Sequence, residues 1–132
     1  LAALAVFATP AVASAQAAKV RVLVAQVSTS GSQVDPALQG MARDFKRNGL
    51  AFTSYKLVGS HDLSLTQGKS ASVALPSGRA EVKLLGREAD GKLKLQVTAG
   101  GATQVLSMSE GGELYFDAGP AGDGKLFLLV RR

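Results

Sequence analysis

The chain has 132 residues, no cysteine and a formal charge of +5, from fifteen Lys and Arg against ten Asp and Glu. That length supplies one domain's worth of core, and the missing cysteines exclude a disulfide framework, so stability must come from packing. No Trp and two Tyr leave few stacking platforms for a nucleic acid, and the cations are spread along the chain rather than gathered in a stripe, so no nucleic-acid partner is expected.

The first fifteen residues, LAALAVFATPAVASA, carry no charge and end in the small-x-small tripeptide Ala13-Ser14-Ala15. This is the pattern of the apolar core and cleavage site of a secretory signal peptide, too short and too rich in Ala for a membrane span. The basic segment that should precede it is missing, because the sequence starts at Leu1. Residues 1–15 are therefore expected to be a signal-peptide remnant and 16–132 a single domain, periplasmic or secreted, with no stable membrane span in its mature part.

From Lys19, KVRVLVAQVSTS places Val20, Val22 and Val24 on one side and Leu23, Ala25 and Val27 on the other, the pattern of a strand buried on both faces. A helix follows: Asp35 caps it, Pro36 takes its first position, Leu38, Met41, Ala42 and Phe45 recur at helical spacing, and Asn48-Gly49 stops it. Arg43, Lys46 and Arg47 point outward and form a candidate partner surface. Their simpler role is a solvated face with positive charge at the end of the helix dipole.

Beyond Gly49 the period is that of strands. Leu50–Val58 reads as one strand with Phe52 and Tyr55 on opposite faces, and HDLSLT as a second, short one ending at Gln67-Gly68. Ala71, Val73 and Leu75, then Ala80, Val82 and Leu84, flank Pro76-Ser77-Gly78 as a hairpin, and Ala89–Lys92 makes another turn before Leu93, Leu95 and Val97. TQVLSMS and ELYFDA follow between glycine pairs, and KLFLLVRR closes the chain. The fold expected is mainly β: an antiparallel sandwich or barrel-like domain of about eight strands, with one amphipathic helix after the first strand, covering an open end or a face of the sheet.

Three motifs invite a chemical reading. GPAGDGK, Gly119–Lys125, matches the start of a phosphate-cradling loop, yet Leu126 stands where Ser or Thr should hold magnesium, and LFLLVRR reads as a strand rather than a helix. No nucleotide is expected there. Gly119, Gly122, Asp123, Gly124 and Lys125 are expected instead to form a Gly-rich, flexible rim loop between the last two strands. Ser60, His61 and Asp62 adjoin, but neighbours on an extended segment point to alternate faces, whereas a catalytic triad converges from separate parts of a fold. A hydrolase centred on His61, the sole histidine, is the weakest of the readings. Calcium is conceivable at Glu88 and Asp90 or at Asp117 and Asp123, but no Asp recurs at ligand spacing, so no metal and no cofactor is expected.

VDPALQGMARDF, FTSYKLV, LPSGRAEVKLLG and GGELYFDAGPAGDGKLFLLV, in that order, resemble a group of small exported β-rich proteins of Gram-negative bacteria. These share a D-P-x-L helix, S-[YF]-K-L, L-P-x-G and a closing G-G…G-D-G-x-L segment. The resemblance spans nearly all of the expected mature chain and implies a shared β fold, with no catalytic residue to carry over. GGELYFDAGP and VRVLVAQVS are also similar to segments of secretins, although the long amphipathic strands of that membrane-embedding domain are missing. The function expected is a non-catalytic binding or structural module of the cell envelope, with an envelope protein or an anionic envelope surface as partner. The alternative is an accessory component of a secretion or pilus-type assembly, docking through a strand edge.

Overall fold

The computed structural model describes residues 17–76 and 78–132; the leader read over residues 1–15 lies outside them. Eight strands follow one another as β1 (Ala17–Ser28), β2 (Ser54–Thr66), β3 (Ser70–Leu75), β4 (Gly78–Arg87), β5 (Leu93–Ala99), β6 (Ala102–Met108), β7 (Glu113–Ala121) and β8 (Gly124–Arg131). They form two four-stranded sheets, ordered β2-β1-β8-β7 and β3-β4-β5-β6, and every pairing within them is antiparallel. Within each sheet the strands pair with neighbours in sequence, save that β1 closes against β8, the path of an up-and-down barrel opened at two seams into a sandwich. The seams where the ladder is broken are β2/β3 and β6/β7.

Alternation dictates what fills the space between the sheets. Val20, Val22 and Val24 of β1 and Leu126, Leu128 and Val130 of β8 meet Val82, Leu84, Leu95 and Val97 of the second sheet in one buried cluster. The other face of β1 and β8 is also apolar. Leu23, Ala25, Val27, Phe127 and Leu129 form a second cluster with Leu38, Met41, Phe45 and Tyr55. Two-sided burial therefore has a physical cause, because the helix roofs the outer face of the first sheet.

That helix is a 3-10 turn over Pro36–Leu38 running into α1 (Gln39–Arg47). The Asp35 carboxylate accepts from the Ala37 amide at 3.3 Å, and the Asn48 side chain donates to the Asp44 carbonyl at 2.8 Å, so both ends are tied off as their residue types imply. At nine residues α1 is too short to be stable alone. It is held by Leu38, Met41 and Phe45, each at most 4 % exposed and each contributing about 1.5–3 kcal/mol of apolar burial. Phe45 stands edge-on to Tyr115 and Phe127, with ring centres 5.2 and 4.9 Å away.

Two local expectations are corrected. The segments read as separate strands on either side of Gly59 are one strand, β2: the register slips by one residue opposite Val24 and Ala25, and the strand continues. Leu50–Thr53 is not strand, so Phe52 is not set on the face opposite Tyr55 by alternation; both pack into the helix-side cluster.

Candidate functional site

The outer face of the first sheet changes character along β1. Under α1 it is apolar, but two residues before Leu23 the same face carries Arg21, and before that Lys19. The pairing places Asp62 of β2 opposite Arg21, Arg131 of β8 on its other side and Glu113 of β7 opposite Arg131. One row across the sheet therefore reads acid, base, base, acid. Like charges on neighbouring strands repel, and each arginine here turns to its own carboxylate: Arg21 Nε donates to Asp62 Oδ1 at 2.8 Å, and Arg131 Nη2 lies 2.9 Å from Glu113 Oε2. Hydrogen bonding to Asp62, and then its charge, hold the Arg21 guanidinium even more firmly protonated than usual.

Next to this row lies a cleft of about 430 Å³ lined by Lys19, Arg21, Arg131, Arg132, Asp62 and Ser64, among others. Four cationic residues and one carboxylate line it, and two of the cations, Arg21 and Arg131, are already paired with Asp62 and Glu113. Arg132 is fixed by donating to the carbonyls of Gly91 and Met108 at 3.2 and 3.4 Å, which anchors its guanidinium on backbone from the second sheet's side of the sandwich. Lys19 forms no ion pair among the described residues. Cations without carboxylates of their own, beside a low-dielectric sheet, attract an anion.

Arg43, Lys46 and Arg47 are exposed, as expected. Arg47 Nη1 lies 3.9 Å from Asp44 Oδ1, and Asp44 Oδ2 accepts from the Tyr115 hydroxyl at 2.7 Å, on the strand that also bears Glu113. Burial, reinforced by that bond to Asp44, holds the Tyr115 hydroxyl far above the usual tyrosine range, so it remains a donor. The structure thus links Arg47 to the charged row, although Arg21, Arg131 and Lys19 rather than the helix residues line the cleft. Sequence reasoning missed these three. The signal was present in KVRV and LVRR, where a cation takes a position that an apolar residue holds two places on or two places back.

The Gly-rich segment is not the loop expected. Gly119 lies within β7, Gly124 and Lys125 open β8, and only Gly122-Asp123 turns between the paired ends Ala121 and Gly124. A Cβ on Gly124 would collide with the Val27 carbonyl of β1, so glycine is required there for strand packing. Gly122 takes φ +60°, as the first central residue of a tight hairpin demands. Because a strand rather than a helix follows Lys125, no helix N-terminus faces the segment. Burial pushes the Asp117 carboxyl up, but hydrogen bonds from Lys125 Nζ and the Gly119 amide, both at 2.9 Å, outweigh it and hold it below the ordinary carboxylate range. Asp123 accepts from Ser30 Oγ at 2.7 Å, and Glu88 from Ser107 Oγ at 2.6 Å, so these carboxylates turn to separate protein donors.

His61 lies in the middle of β2 opposite Val22. Its neighbour Asp62 points the other way, to Arg21. Among the described residues no group of three or more His, Cys, Asp and Glu could hold a metal ion, and no helix is long and apolar enough to cross a membrane.

No family model matches the chain, and no curated protein or solved structure is significantly similar to it.

Proposed function

We propose that this chain is an exported, non-catalytic binding module of the bacterial envelope that holds an anionic envelope surface against its first sheet. The observation that carries the reading is the cleft lined by Lys19, Arg21 and Arg131 on the part of that face which α1 leaves bare, where Arg21 and Arg131 are paired with Asp62 and Glu113 and Lys19 has no carboxylate among the described residues. Anionic phospholipid headgroups or the phosphates of envelope glycans suit such a cleft, because spaced point charges on exposed side chains attract a charged surface without demanding one ligand shape. Export is supported by the uncharged Leu1–Ala15 run and by the resemblance to exported β-rich proteins. The non-catalytic reading is supported by the separation of His61 from Asp62, which face opposite sides of β2.

Sedimentation with phosphatidylglycerol vesicles tests it. Binding should exceed that to phosphatidylcholine vesicles and fall steeply with salt. Lys19→Gln with Arg21→Gln should weaken it about tenfold, while Asp62→Asn, which frees Arg21 from its carboxylate, should strengthen it. Equal binding to both vesicle types, or indifference to these substitutions, refutes the reading.

A second reading, docking into a secretion or pilus-type assembly, is favoured by one feature. β6 is an edge strand without charge, proline or bulge, pairing in unbroken register from Leu93↔Met108 to Ala99↔Ala102, and its Val105 is 53 % exposed. Unprotected edges of this kind accept a partner strand. If an envelope protein is captured by the intact chain and lost from Val105→Lys, the edge is the docking element.

A further inference from the structure

A second cavity, of about 440 Å³, opens beside α1 and shares no lining residue with the basic cleft. Its walls include Val34, Ala42 and Phe52, apolar side chains packed against the helix-side cluster. Leu50 also lines it and is 42 % exposed, one of two large apolar side chains left open to solvent among the described residues. Lys46, from the last turn of α1, lines it too and has no ion pair among the described residues.

Tyr55 lines it as well; it is only 2 % exposed, and its hydroxyl is buried without a hydrogen-bond partner. Its backbone is held, donating to the Gln33 carbonyl at 2.8 Å and accepting from the Asp35 amide at 2.9 Å, and its ring packs edge-on to Phe45 at 5.9 Å within the helix-side cluster. A phenylalanine would fill the same space, and what tyrosine adds is one unanswered donor. Buried donors are nearly always answered. Burial raises the pKa of this hydroxyl, so it stays protonated.

We propose that the cavity binds a single-chain amphipathic carboxylate. The aliphatic chain packs on Val34, Leu50 and Phe52, one carboxylate oxygen accepts from the Lys46 ammonium, and the other accepts from the Tyr55 hydroxyl, which is closed off in the free protein and is uncovered as the ligand seats. One cation and one hydroxyl match a single negative charge with two acceptor oxygens. The volume suits one such chain. This makes Lys46, which sequence analysis assigned to a surface for partners, a residue of a small-molecule site.

The test is a titration of the ¹⁵N-labelled protein with sodium decanoate below its micelle concentration, with decyltrimethylammonium as the cationic control. Saturable amide shifts should centre on Leu50, Phe52, Thr53 and Tyr55, and the cationic amphiphile should bind far more weakly. Lys46→Gln and Tyr55→Phe should each weaken decanoate about tenfold. Tyr55→Phe should leave the Tm of the free protein unchanged or higher by roughly a few degrees, since it removes only an unanswered donor. The proposal is overturned if there are no saturable shifts, if they fall at Lys19, Arg21 and Arg131 instead, if the two amphiphiles bind equally, or if Tyr55→Phe binds decanoate as the parent does. A Tm clearly lowered by Tyr55→Phe also overturns it, because the hydroxyl would then have a partner already, such as a buried water. Because the two cavities share no residue, this result is independent of vesicle binding at the basic cleft.

Discussion

The two sheets are built from the same hairpins but are packed differently. In β3-β4-β5-β6 the strands alternate, with Ala80, Val82 and Leu84 inward and Arg79, Glu81 and Lys83 outward, so one face is core and the other is solvated. In β2-β1-β8-β7 both faces of β1 and β8 are apolar for part of their length, and that length is what α1 covers. The first sheet turns polar on its outer face where the helix no longer covers it, at Arg21 and Arg131. The contrast shows how a two-sheet sandwich acquires a site: roofing part of one sheet leaves a boundary, and charge gathers beyond it.

The largest way to break this contrast is to remove the roof. Phe45→Ala deletes a side chain that is 4 % exposed and packed among Tyr55, Tyr115 and Phe127, and should cost about 3–5 kcal/mol in urea unfolding. If α1 were a loosely attached appendage, the loss would be under about 1 kcal/mol. Gly124→Ala comes next. It forces a methyl against the Val27 carbonyl where β8 joins β1 and should cost about 2–3 kcal/mol, with the largest amide shifts at Val27 and Ser28.

Tyr115→Phe removes the bond that ties α1 to β7 and should cost about 1–2 kcal/mol at neutral pH. It should also change the alkaline limb. The folded-state pKa of Tyr115 lies above the unfolded value, so its contribution is complete below about pH 10 and is lost as pH rises beyond that; the variant should lack this loss. The smallest effect belongs to Asp117→Asn. Asp117 titrates lower in the folded protein than in the unfolded chain, so its stabilisation is present above about pH 4 and disappears as pH falls through the folded-state pKa. With both side chains of the Asp117–Lys125 pair 47 % exposed, the loss at pH 7 should be no more than about 0.5 kcal/mol, and it should shrink further in salt.

Much of this architecture was legible because its causes are local. The two valine-leucine faces of β1, the Asp35-Pro36 start and the glycine pairs led to a β sandwich with one helix, and the helix fell on the face that two-sided apolarity demanded. Where β2 continues past Gly59 the sequence misled, since a glycine that permits a bulge reads like one that permits a turn. The charged row was hidden for a different reason. Arg21, Asp62, Arg131 and Glu113 are far apart in the chain and meet only through register, which periodicity within one strand does not reveal. The orphan hydroxyl of Tyr55 was likewise invisible, because it depends on how α1 sits over β2.

The most direct test of the central claim is amide shift mapping with a short-chain, water-soluble phosphatidylglycerol. Shifts concentrated at Lys19–Arg21, Asp62–Ser64 and Arg131–Arg132, and lost in high salt, would place the anion on the bare half of the first sheet. Shifts that run along β6 or scatter over the second sheet would contradict it.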